Sequence, residues 1–233
     1  MNQFLPQRVM KKALSKVAFA FSLVFFLLPT AIFANTATST PPNIVVPNPE
    51  LGNSCGLDIA LVLDSSGSIN ATELGQMKNA FEGFVGAFLP TRPTLFSVTD
   101  FDDDGNVLQT FTDDLGLLNI AINAPISGGT TNWADGLNDA FGTLDPRDNS
   151  EHPDLIVFAS DGNPNHPNIQ TALGQAVLKA NEIKGEGVRI ITFGIGDHLK
   201  VDNLKAISSA DAVYTSGFES LAKDLAKLAK THN

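Results

Sequence analysis

The residues best placed to do chemistry are Asp64, Ser65, Ser66, Gly67 and Ser68, a short polar loop that follows the apolar run Leu57–Leu63. Two further loops have the same character: Asp161-Gly162-Asn163 follows the apolar run Leu155–Ser160, and Gly196-Asp197 follows Val188–Gly194. A fourth loop, Ser127-Gly128-Gly129-Thr130-Thr131-Asn132, opens a helical stretch. Carboxylates, hydroxyls and the carboxamides of Asn132 and Asn163 are all the side-chain donors that these loops offer, and a set of oxygen donors suits hard cations such as Mg2+, Ca2+ or Mn2+. Taken alone, Asp64–Ser68 could equally be a strand-to-helix turn in which Asp and Ser serve as caps.

The elements that must position these loops are read from periodicity. Continuous apolar runs of strand length describe strands buried on both faces. Thr94–Phe101 and Val107–Thr112 are shorter strands, joined by Asp102-Asp103-Asp104-Gly105-Asn106, a turn short enough to force an antiparallel pair. Ala212–Thr215 reads as an edge strand. Asn70 with Glu73 is a capping pattern for a helix whose inner stripe is Leu74, Met77, Phe81, Phe84, Val85 and Phe88, ended by Pro90. Further helices are expected over Leu115–Ile122, Asn132–Leu144, Ile169–Ile183, Val201–Ser208 and Phe218–Lys230. Alternating strands and helices predict a doubly wound α/β fold, a mostly parallel six-stranded sheet with one antiparallel edge strand and helices on both faces. Ligand sites in such sheets lie outside the carboxyl ends of the strands, and that is the rim on which Asp64, the two serines and Asp161 would meet.

At these motifs the chain resembles the von Willebrand factor type A (VWA) family, in its exported bacterial form. The resemblance is carried by DIALVLDSSGSI at 58–69, GGTTNWADGL at 128–137, LIVFASDG at 155–162 and ITFGIGDHLKVDNLKAISS at 191–209, and covers about 175 residues. It implies a metal-ion-dependent adhesion site in which Asp64, Ser66, Ser68, Thr131 and Asp161 are ligands of Mg2+, with Ca2+ or Mn2+ as alternatives. Thr131 stands six residues before Leu137, as the family pattern asks, while its neighbour Thr130 is the alternative ligand. In such sites hydroxyls bind the cation directly, one or both aspartates act through water, and an oxygen donor from a partner protein, a carboxylate above all, completes the coordination.

Around this rim Asp102, Asp103, Asp104, Asp197 and His166 are candidate partner contacts. Asp100 to Gly105 imitates the start of an EF-hand loop, but position twelve is Phe111 and the flanks are strands, so a solvated hairpin turn is expected. His152, His198 and His232 read as surface loop residues, and Trp133 as core.

Residues 1–34 carry Arg8, Lys11, Lys12 and Lys16 ahead of an apolar run to Ala34, the pattern of a secretory signal or, alternatively, of an N-terminal membrane anchor. Membrane association is expected through this segment only. Residues 35–54 form a linker rich in Pro, Thr and Asn, and the domain is expected over 55–231. Either reading of the start places the domain outside the cytoplasm: secreted, periplasmic or at the cell surface. The whole chain carries −10; without those four basic residues, 11 basic stand against 25 acidic, giving −14 and disfavouring nucleic acid. Cys55 is alone, so it forms no intramolecular disulfide. No catalytic base lies within the motifs, and GxSxG, P-loop and GxGxxG patterns are absent, so an enzyme is not expected. Two alternatives remain beside the adhesion-type binder: a structural subunit of a surface assembly, and a metal-dependent hydrolase.

Overall fold

The computed structural model describes residues 44–51, 56–89, 93–144, 152–218 and 220–225. The expected signal, most of the linker, Pro90, Cys55 and His232 lie outside these residues.

Strand β1 (Leu57–Asp64) leads through α1 (Ala71–Phe88) to the pair β2 (Thr94–Phe101) and β3 (Gly105–Thr112). Helices α2 (Leu115–Asn123) and α3 (Trp133–Thr143) follow, then β4 (Asp154–Ser160), α4 (Ala172–Gly185), β5 (Arg189–Ile195), α5 (Val201–Ile207) and β6 (Val213–Ser216). The sheet runs β3-β2-β1-β4-β5-β6, with every neighbouring pair parallel except β2–β3. The fold class read from periodicity is therefore the one observed.

Period-two alternation sorts each strand between two cores. Ile59, Leu61 and Leu63 of β1, Val157 of β4 and Phe193 of β5 face α1 and α2, in a cluster that also takes Leu221 and Leu225. Ala60 and Val62 of β1, with Ile156 and Phe158 of β4, face α3, α4 and α5. Asn70 caps α1 as the sequence predicts: its side chain accepts from Thr72 and Glu73 N–H, and the Glu73 carboxylate accepts from Asn70 N–H. Helix α4 starts at Ala172 instead of Ile169, because Asn168 forms a turn that accepts the Thr171 and Ala172 N–H groups and leaves Ile169 exposed.

The chain leaves β1 toward β2 and β3, then returns to β4 on the other side of β1. This reversal opens a crevice at the carboxyl ends of β1 and β4, where backbone connections diverge and leave room for a ligand. Far from that crevice, residues 44–51 are stitched to the opposite end of β5. The Asn48 carboxamide takes Ile190 N–H at 3.0 Å and donates to Ile190 O at 2.7 Å, on a stretch that β6 does not reach until Thr192. Asn181 does the same for Val46 N–H and Ile44 O, and Arg189 holds Pro49 O. No helix among the described residues is long and apolar enough to cross a membrane.

Candidate metal centre

Asp64 ends β1 on the face shared with α3 and is fully buried. Its Oδ1 accepts Ser66 N–H at 2.8 Å, folding the loop back over the strand end. Its Oδ2 accepts the Ser160 hydroxyl at 2.5 Å, and Ser160 Oγ in turn accepts the Trp133 indole N–H at 3.1 Å. Alternation explains this chain, since Ser160 follows Ile156 and Phe158 onto the same face of β4.

Two more turns carry the serines outward. Ser66 Oγ and Ser68 Oγ are 3.1 Å apart, and Ser68 Oγ donates to Asp161 Oδ1 at 2.8 Å. The Gly128 segment pairs with this loop like an extra strand, through Gly128 N–H to Ser65 O and Gly67 N–H to Gly129 O. Gly129 has φ +63, a conformation open to glycine at little cost. That turn brings Thr131 inward.

The two threonines part company here. Thr131 is 4% exposed, and a Cβ placed on Gly162 would lie 3.7 Å from both Thr131 Oγ1 and Ser68 Oγ. Asn165 locks its peptide, accepting Thr131 N–H at 2.9 Å while Asn165 N–H donates to Thr131 O at 3.0 Å. Thr130 is exposed and turned to the hairpin: its N–H and hydroxyl both donate to Asp103 Oδ1, and its Oγ1 lies 3.1 Å from His166 Nδ1. Those bonds hold the Asp103 carboxyl below the usual range. Asp64, Ser66, Ser68, Thr131 and Asp161 thus share one rim, and Thr130 stands outside it.

Electrostatics mark the same cluster. Burial pushes the Asp64 carboxyl up to about 7, against its hydrogen bonds from Ser160 and Ser66, and the neighbouring Asp161 adds to the rise. Asp161 is raised too, first by burial, with the Glu73 charge adding and the Ser68 bond opposing. The described residues contain no group of three or more His, Cys, Asp and Glu side chains arranged as a metal cage. What they contain is two carboxylates and three hydroxyls, a set that fits a hard divalent cation: its charge offsets the buried carboxylates, and the hydroxyl oxygens supply neutral ligands.

Of the other rim candidates, Asp103 and Asp104 are exposed on the hairpin turn and Asp102 is half-buried against Gly129. Asp197 is exposed on the loop after β5. His152 pairs with Asp58 at 3.0 Å, at the amino end of β1. Asp100 is part of the hairpin's buried base, accepting the Ser65 hydroxyl at 3.0 Å. Ser160 and Asn165 support the site without having stood out in the sequence, whereas Asp103, expected as a partner contact, holds Thr130. Ser160 was legible only as a lone hydroxyl in an apolar strand, and no local signal distinguishes Asn165.

The family model for the von Willebrand factor type A domain matches residues 58–230. The chain belongs to this family. Among solved structures, the VWA fold recurs in the von Willebrand factor domain of the type V pili tip protein Mfa5 from Porphyromonas gingivalis. That match has a TM-score of 0.67 at 16% identity, over 77% of this chain and 96% of that one. The proximal thread matrix protein 1 of the mussel byssus, solved with a zinc-occupied MIDAS motif, is 27% identical with a TM-score of 0.65, over 78% of this chain and 47% of that one. The pilus adhesin SpaC from Lactobacillus rhamnosus GG matches at 15% identity and TM-score 0.67, over 80% of this chain and 32% of that one. This VWA chain therefore spans about half of the thread matrix protein and a third of the adhesin. It matches no curated protein.

Proposed function

We propose that this VWA domain is an extracytoplasmic, divalent-cation-dependent protein-binding module of the adhesion type. Asp64, Ser66, Ser68, Thr131 and Asp161 hold Mg2+, or Ca2+ or Mn2+ in its place, and an oxygen donor from a partner protein, a carboxylate above all, completes the coordination. The observation that carries this reading is the convergence of two buried carboxylates with three hydroxyls at the crevice between β1 and β4. A metal ion held there supplies a positive centre for the partner's oxygen. Around it, Asp102, Asp103 and Asp104 add negative charge, so an acidic partner is attracted only while the cation is in place. Zinc in the MIDAS of the mussel protein supports the same donor set, and the pilus proteins support a place at the cell surface.

Calorimetric titration with MgCl2 tests the ligand set. Thr131→Ala should weaken Mg2+ binding by about ten-fold or more, the loss of one ligand, while Thr130→Ala should leave it within about two-fold. Equal losses in both variants would overturn the assignment of Thr131. A structural-subunit role is the second reading, favoured by the likeness to a byssal matrix protein. It predicts a fixed oligomer that chelator does not disturb.

A further inference from the structure

Among the described residues β3 is the outermost strand on its side of the sheet, paired with β2 alone. Its eight residues, Gly105–Thr112, include no charged residue and no proline, and none of them is buried. Exposed edges of that length ordinarily carry a lysine, a proline or an inward charge that prevents another strand from adding. Those three devices are missing from β3; the β2–β3 ladder does shift register between Phe96 and Thr99, and Asp135 of α3 takes the Gly105 N–H at 2.7 Å, so the open edge runs from Asn106 to Thr112. Apolar surface continues beside the strand, with Val107 43% exposed and Leu115, Leu117 and Ile120 of α2 43%, 45% and 70% exposed.

Charge says what could lie there. From Thr94 to Leu144 the chain has eight aspartates and no lysine, arginine or histidine. Three of them, Asp102, Asp103 and Asp104, stand at the start of β3, and Asp113 and Asp114 stand at its end. An uncharged edge is therefore bounded by carboxylates at both ends. A second copy of this chain would bring the same aspartates to meet them, which opposes self-pairing.

We infer that the outer edge of β3 takes up an extended segment of a partner protein, apolar or hydroxyl-bearing at its centre and carrying lysine or arginine at each end. Such a segment adds as a seventh strand: main-chain hydrogen bonds supply affinity, and the end charges select the sequence. The seven residues Asn106–Thr112 run about 20 Å from first to last at about 3.3 Å each, which is the separation of the two basic ends in a seven-residue segment. This contact needs no metal ion, and of the metal rim it shares only the aspartates of the hairpin turn.

The test uses the full chain and a fluorescein-labelled, end-capped peptide Lys-Val-Thr-Val-Thr-Val-Lys, with a control in which both lysines are glutamates. In chelator and low salt, anisotropy should show the lysine peptide binding at least about ten-fold more tightly than the control, the gap closing toward about 0.5 M salt. The double variant Val107→Lys/Thr110→Lys changes two exposed side chains, so its melting temperature should hold while affinity for the lysine peptide falls at least about ten-fold. Asp64→Asn should bind the lysine peptide as the parent does. Equal affinity for both peptides, or unchanged binding by the folded double variant, overturns the proposal. So does a parent dimer, in sedimentation, that the two lysines dissociate, because the occupant is then a second copy. Lysine-peptide binding that requires Mg2+ places the peptide on the metal rim and overturns the edge proposal without touching the metal assignment.

Discussion

Replacing Asp64 with asparagine changes one atom in a fully buried group and separates the cost of the site from its use. The Asp64 carboxyl stands at about 7 in place of 3.8, chiefly through burial. That displacement corresponds to about 4 kcal/mol favouring the protonated form in the fold. Because the folded value lies above the unfolded one, the metal-free native state holds an extra proton between about pH 4 and pH 7. Its stability therefore declines as pH rises through that window. Asparagine escapes the decline, since it has no charge to bury. Its Oδ1 can still accept Ser66 N–H, its amide can donate to Ser160 Oγ, and the Ser160 hydroxyl can turn to Gly162 O, 3.1 Å away. In chelator at pH 8, Asp64→Asn should be more stable than the parent by about 2–4 kcal/mol, the gap narrowing toward pH 5. Saturating Mg2+ should then raise the parent and leave the variant unmoved, because only a binding-competent native state gains from mass action. Urea midpoints at pH 5 and pH 8, with Mg2+ and with chelator, measure all of this. A variant less stable than the parent in chelator at pH 8, or an equal gain from Mg2+ in both, refutes the reasoning.

Trp133 is the one tryptophan of the chain and reaches Asp64 through Ser160. Its fluorescence should change on Mg2+ addition with the calorimetric affinity and stay flat in Asp64→Asn. Gly129→Ala puts a methyl group 3.1 Å from Asp102 Cβ and the Asp103 carboxyl at φ +63. It should cost about 1–3 kcal/mol in urea denaturation and weaken Mg2+ binding, because Gly129 O anchors the Ser66–Ser68 loop. Asn48→Ala removes the carboxamide that pairs with both polar groups of Ile190. A loss of about 2–3 kcal/mol and faster proteolysis within residues 44–51 are expected, with Mg2+ affinity unchanged. Burial pulls the Lys184 ammonium down to about 8. Lys184→Met should therefore raise the melting temperature at pH 7, with the advantage fading between about pH 8 and pH 10.5 as the parent's amine becomes neutral in the unfolded chain too.

How much of this was legible before folding depends on whether a residue's position follows from local pattern or from packing. Asp64 and Asp161 follow apolar runs that could only be buried strands, and the order of elements places both at strand carboxyl ends. Asn70 and Glu73 announce α1 by a purely local device, and the short turn at Asp102–Asp104 requires the antiparallel hairpin. Thr130 and Thr131 are neighbours of one chemistry, and no periodicity separates them. What does is tertiary: Asn165 grips the peptide of one and Asp103 the hydroxyl of the other. The apolar period, which Ile169 fits, places the start of α4 one turn early, whereas Asn168 forms a turn that delays the helix. Residues 44–51 offer only the short apolar run Ile44–Val46, broken off by two prolines, and their docking rests on Leu51, Arg189 and two asparagine carboxamides whose partners lie about 140 positions away.

The sheet itself creates the condition that makes a cation useful. Adjacent parallel strands β1 and β4 bring Asp64 and Asp161 to one crevice, and the same closure that builds the two cores removes water from both carboxyls. Hydroxyls at Ser66, Ser68 and Thr131 can share protons with them but cannot cancel their charge. A divalent cation can, and with only two carboxylates in the set it is not over-neutralised. A cation held there would retain a pull on an outside oxygen that the surrounding aspartates would otherwise repel.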